Sequence, residues 1–431
     1  MSAEPLVVSA EPLASARPRE AGARAGEAEC APRRVGLRPA PASAAPAHRA
    51  LFGRREPRVV LGAPRVPSLV TAGVRPDRHT CFGPRGAALL SANGPLWVCD
   101  TGHHRLLGWR STPEHDETPA DWVIGQPGFE REGRNRGGAP GALGLNVPTG
   151  ICALGARGLA VADAWNHRVL IWNEAPARSE TPPDLVLGQA DFESAEPNRG
   201  RVHPGADTLF WPYGVAFLGG SLFVADSENR RVLVWRGRPR RHGQPADLVL
   251  GQPDFAQRDE NGGSAPGPGS MRWPHGLCLW RGDLCVSDAG NNRILVYAGV
   301  PERSGVAAEV VLGQSDAAGV DHNQSSYWPR ASTLNMPYAI VAAGDWLVCA
   351  DTANSRLLGF HRDDRRTGAS ARALAGQSDL HQKGDNRWQA AAGDSFCWPY
   401  GLSACSDGAG SARVVVADSG NNRVSVWDFT P

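Results

Sequence analysis

The sequence predicts an all-β fold, a six-bladed β-propeller of four-stranded antiparallel blades, and three observations carry that expectation. A phrase of aspartate, two variable residues, usually asparagine, one variable residue and arginine occurs six times. Its copies start at Asp100, Asp163, Asp226, Asp288, Asp351 and Asp418, spaced by 62 to 67 residues. Short apolar runs flank each copy. The series is also out of step at the two ends, as in a ring that both termini close.

Each element of the unit has its own reason. Before each Asp lies a run such as Leu222 to Ala225. After each Arg another run ends in an aromatic residue at Trp109, Trp172, Trp235, Tyr297, Phe360 or Trp427. β-Branched and aromatic runs without polar alternation read as strands buried on both faces, which makes the phrase between them a turn. Pro-x-Gly, at Pro84, Pro148, Pro212, Pro274 and Pro399 and with Ala339 replacing the glycine after Pro337, opens the innermost strand; Val-Leu-Gly-Gln, as at Val249 to Gln252, forms the outermost. The last copy reaches Trp427 with no room for its own fourth strand, while Val59-Val60-Leu61-Gly62 is left over upstream. That strand is expected to complete the C-terminal blade and remove a free edge.

Composition bounds the rest. Residues 1–55 are dominated by Ala, Pro, Arg and Glu and nearly lack aromatics, so a disordered tail is expected there and the propeller over 56–431. A formal net charge of +1, with Lys383 as the single lysine, does not fit a strongly electrostatic nucleic-acid binder. The nine cysteines contain no Cys-x-x-Cys pair, so neither a disulfide scaffold nor a zinc knuckle is expected. No run of 18 apolar residues and no charged-then-apolar leader occurs, and the expected location is cytoplasmic.

Turns such as Asp163-Ala164-Trp165-Asn166-His167-Arg168 and Asp288-Ala289-Gly290-Asn291-Asn292-Arg293, with Pro-x-Gly about 14 residues upstream, resemble NHL repeats. The resemblance covers roughly 370 of 431 residues, and Val249 to Phe255 is similar to runs of bacterial NHL-repeat proteins. It implies the propeller fold and a role drawn from scaffolds, RNA binders, signalling sensors and lyases, some accessory to multi-component enzymes.

A residue recurring in every repeat is expected to hold the repeat. The Asp can accept backbone N–H bonds in the turn, the Asn tolerates a left-handed conformation, and the Arg can tie turn to strand. Asn135, Asn198, Asn261, Asn323 and Asn386, nine residues after each Gln in the long loops, read as a repeated packing device. Function is then expected where repeats differ. The variable residue of Pro-x-Gly, namely Arg85, Thr149, Tyr213, His275, Tyr338 or Tyr400, stands at the channel mouth, as a small-molecule or peptide-terminus site or as a plug. Trp165 and Arg230, at variable turn positions, are candidate partner anchors, with packing on the adjacent loop as the alternative. His103, His104, His167 and His275 lie towards the same face at different repeat positions and do not form a converging metal set; no metal and no cofactor is expected. No Ser-His-Asp order, phosphate-cradling loop or carboxylate pair stands out. The expected role is protein binding or scaffolding through the loop-bearing face, and the alternative is a lyase or small-molecule site at the channel mouth.

Overall fold

The structure, a computed structural model, describes residues 48–64, 75–406 and 412–429. The expected tail over residues 1–47 lies outside the described residues. Six blades of four antiparallel strands surround a channel, numbered here from the first Asp turn. Blade 1 comprises, from the channel outwards, Gly86–Leu89, Leu96–Asp100, Arg105–Trp109 and Trp122–Ile124. The innermost strands of blades 2 to 6 are Pro148–Leu154, Pro212–Leu218, Pro274–Trp280, Pro337–Ala343 and Pro399–Ser406, and each neighbours the next around the ring. Val59–Leu61 pairs antiparallel with Arg423–Phe429, so the N-terminal strand closes blade 6. The aromatics nine residues after each Asp are buried with apolar residues of adjacent blades.

The glycine of Pro-x-Gly permits the ring to be this narrow. A Cβ on Gly86 would collide with the Thr149 carbonyl oxygen, and one on Gly214 with that of His275. Five blades thus need glycine where neighbouring innermost strands approach most closely.

Each repeated turn is a short 3₁₀ turn whose charged Asp and Arg are paired. In every copy the Arg Nε donates to the Asp Oδ2, at 2.6 to 2.9 Å, and both side chains are buried. The Asp Oδ1 accepts the N–H of a residue entering the innermost strand of its own blade, such as Phe210 at 2.7 Å. This differs from the expectation that it bonds within the turn. The turn Asn differs as well. Its amide spans the Asp Oδ2 and a long-loop Asn, as in Asn229 to Asp226 and Asn198, and the left-handed residue is the next one, Arg230 in that copy. The long-loop asparagines are the packing device expected: all five pair reciprocally or singly with a turn Asn. In blade 1 His103 stands where the others have Asn, with Nδ1 2.8 Å from Asp100.

The fold extends upstream of the expected boundary at residue 56. Arg49–Ala50 pairs in parallel with the outermost strand of blade 5, Ala373–Ala375. Leu51 and Phe52 are buried, and Phe52 stacks on Trp427 at 4.4 Å between ring centres. The reason lies in the edges. On five blades the outermost strand has a mid-strand N–H capped by a side chain from the following blade's loop between its third and fourth strands: Val60 by Asp116, Val123 by Ser179, Val186 by His242, Val249 by Ser304 and Val311 by Thr367. Blade 6 caps nothing this way, because its third and fourth strands come from opposite ends of the chain. The segment leading into Val59 takes that loop's place on blade 5, and so covers an edge that would otherwise be open. Among the described residues no helix is long and apolar enough to cross a membrane.

Candidate binding site at the channel mouth

The six variable residues of Pro-x-Gly come together around the channel axis and line one cavity of about 80 Å³. Four of them form an unbroken stack across blades 3 to 6. Ring centres lie 4.9 Å apart for Tyr213 and His275, 4.5 Å for His275 and Tyr338, and 4.3 Å for Tyr338 and Tyr400. Arg85 of blade 1 ends the row, with its guanidinium carbon 4.7 Å from the centre of the Tyr400 ring. Thr149 does not join the stack; its hydroxyl donates to the Tyr213 carbonyl at 3.0 Å.

This floor has a definite protonation state. Burial holds His275 down to about 4, with a smaller push from Arg85, so the imidazole is neutral near pH 7. Its Nδ1 lies 3.0 Å from the Trp273 carbonyl, which makes Nδ1 the donor. Burial raises Tyr338 to about 12 and Tyr400 well above its ordinary value, against the opposing pull of Arg85. Both phenols remain protonated donors.

Above the floor opens a basin of about 380 Å³ lined by Arg85, Tyr213, Tyr338 and Tyr400 together with Trp273, Trp398, Ser419 and Gly420. The last two belong to the blade 6 turn, so turns and channel mouth share a face. The lining contains no carboxylate. Trp273 and Trp398 are functional candidates that the sequence reading passed over, and a signal was present: Trp-Pro-x-Gly recurs at Trp211, Trp273 and Trp398.

The residue before each Pro-x-Gly proline has a mechanical role too. Gly83, Val147, Trp211, Met336 and Trp398 have φ between 48° and 54°, which is rare for a side chain and a true outlier for β-branched Val147. Each of these N–H groups is caught by the left-handed turn residue of the preceding blade: Asn422, His104, His167, Asn292 and Ser355 respectively. At the sixth place that residue is Arg230, which offers no acceptor. There the Trp273 N–H bonds Asp288 instead and φ is not positive. His104 and His167 are therefore acceptors through Nδ1 and must be neutral; burial lowers both, His167 to about 4. Together with His103 in the Asn place and His275 in the stack, each histidine near this face has a local partner. Among the described residues no group of three or more His, Cys, Asp or Glu side chains is poised around a metal position.

Trp165 and Arg230 stand on neighbouring turns and do not meet. Trp165, 37% exposed, lies between the Trp211 ring, at 6.2 Å, and the Arg134 guanidinium, at 5.1 Å. Arg230 folds back to donate to the carbonyls of Glu228 and Arg258 at 2.7 and 3.2 Å.

Comparison with known proteins adds one repeat match and a set of distant folds. The NHL-repeat family model matches residues 271–297, which hold the inner three strands of blade 4 and their turn. No curated protein matches the chain. Among solved structures, a gluconolactonase from Xanthomonas campestris shares 13% identity over 91% of this chain and 99% of its own, with a TM-score of 0.43. A streptogramin B lyase shares 12% over 82% and 95%, at 0.41. Kuenenia stuttgartiensis hydrazine synthase shares 12% over 84% and 99%, at 0.46. Likeness at this level transfers no activity.

Proposed function

We propose that this chain, an NHL-repeat β-propeller, is a binding protein that takes its ligand at the channel mouth of the loop-bearing face. The observation that carries this reading is the aromatic floor: four stacked rings from four blades beneath a basin walled by Trp273 and Trp398. A concave aromatic site with a few convergent polar groups is the usual form of a small-ligand pocket. Binding is favoured over catalysis because the lining offers no carboxylate and its imidazole is buried, neutral and tied to a carbonyl, which makes it a poor general base. Scaffolding remains compatible where the ligand is the end of a partner chain. The cytoplasmic placement rests on composition and cysteine usage.

A second reading, capture of a folded partner by the turn tips, is favoured by the exposure of Trp165 on its turn. A thermal-shift screen with small molecules and short peptides separates the two. Stabilising ligands should lose their effect in Tyr400→Phe and His275→Ala and keep it in Trp165→Ala. Partner capture lost in Trp165→Ala and Arg230→Ala, with no mouth-dependent ligand found, would favour the second.

A further inference from the structure

We infer that the channel mouth recognises a carboxylate carried on a flat, apolar body, with Arg85 as the residue that selects the charge; this rests on the binding reading above. The argument begins with the contrast among arginines. The six repeat arginines are buried and bonded to a carboxylate and to carbonyls, as Arg231 shows with bonds to Asp226, Phe255, Gly205 and Thr208. Arg85 stands on the same six-fold scaffold and, among the described residues, its guanidinium has neither an ion-pair nor a hydrogen-bond partner; its contact is the Tyr400 ring. It is half-buried at the junction of the channel and the basin and lines both cavities.

A cation drawn partly out of water without a counter-charge is costly, and a ring face offsets only part of that cost. A carboxylate can accept two parallel N–H bonds from a guanidinium, which suits this vacant fork. Tyr213 and Tyr400 line the same basin, and their hydroxyls have no hydrogen-bond partner among the described residues, so they are available to add donors to the same anion. One cation and neutral phenols fit a single negative charge. The rest of the ligand is defined by the walls: Trp273, Trp398 and the stacked rings offer π-faces and no carboxylate that would repel the anion. The chemistry is that of an aromatic or unsaturated monocarboxylic acid, either a free small molecule or the C-terminus of a chain ending in an aromatic residue.

The test compares acids with their uncharged amides on the full chain, by tryptophan emission and by calorimetry. Phenylacetate is set against phenylacetamide, and a short peptide ending in phenylalanine as the free acid against the same peptide amidated. At least one acid should bind at least tenfold more tightly than its amide. The preference should vanish in Arg85→Gln and survive in part in Arg85→Lys, and the acid that shows it names the source. Equal binding of acid and amide in the wild type would overturn the charge inference and leave the basin reading standing. An acid preference that persists in Arg85→Gln would remove Arg85 from the role. Binding by no probe, with unchanged emission, would overturn both.

Discussion

The repeated turns and the channel mouth are built on the same six-fold frame, yet they differ in how their polar groups are spent. Each Asp–Arg turn is buried with its charges paired, and its amide and guanidinium donors bridge to the long loops. Among the described residues, the mouth keeps an unpaired guanidinium and two unpartnered phenols beside tryptophans. Repetition with saturation marks a structural device. Divergence with unsaturated donors marks a surface left available to a ligand.

The largest expected effect concerns closure. A chain lacking residues 1–62 loses the outer strand of blade 6 and should show no cooperative melting transition. One lacking 1–55 loses the Arg49–Ala50 strand and buried Leu51 and Phe52, a cost of about 2 to 3 kcal/mol for each large side chain. One lacking 1–47 should melt like the whole chain. Equal melting of all three would contradict the closure.

Next come the turns. Asp288→Ala or Arg293→Ala leaves a buried charge without its partner, and about 3 to 5 kcal/mol of stability should disappear in chemical denaturation. A loss below about 1 kcal/mol would mean the pair is not the device described here.

The period, the strand order, the closing strand and the long-loop Asn device were all legible in the sequence, because each recurs with a fixed offset from an Asp. What was hidden depends on contacts between blades. The left-handed turn residue varies among His, Asn, Ser and Arg, and the role it plays in five of the six copies, as an acceptor for the next blade, becomes visible only when the blades are side by side. The boundary at residue 56 was set too late for a similar reason: Arg49 to Phe52 has a tail's composition, and it is held by a loop position that blade 6 lacks. The Pro-x-Gly pattern locates six residues at the channel mouth, while the Trp-Pro walls of the basin are not read from it.

A smaller effect follows pH. His167 and His275 are held down to about 4 in the folded state, so the unfolded chain takes up their protons first as pH falls below about 6.5. Their contribution is complete above that pH and is lost towards pH 4, each by no more than about 3 to 4 kcal/mol. His167→Asn keeps an acceptor for the Trp211 N–H, as Asn292 does for Met336, and should give a shallower acid-side decline in urea midpoints between pH 7 and 4. An unchanged decline would detach His167 from the acid response. A still smaller effect is expected at Trp165→Ala, whose stability should shift by about 1 kcal/mol or less, given its exposed stacking.

The most direct measurement sets one arginine of the frame against the one at the mouth: the denaturation midpoints of Arg293→Gln and Arg85→Gln under identical conditions. Arg293→Gln should lose several kcal/mol, about 3 or more, and Arg85→Gln should stay within about 0.5 kcal/mol of the parent chain. Destabilisation by Arg85→Gln as large as that by Arg293→Gln would show that Arg85 plugs the channel as part of the frame, and would contradict the reading of the mouth as a site kept open for a ligand.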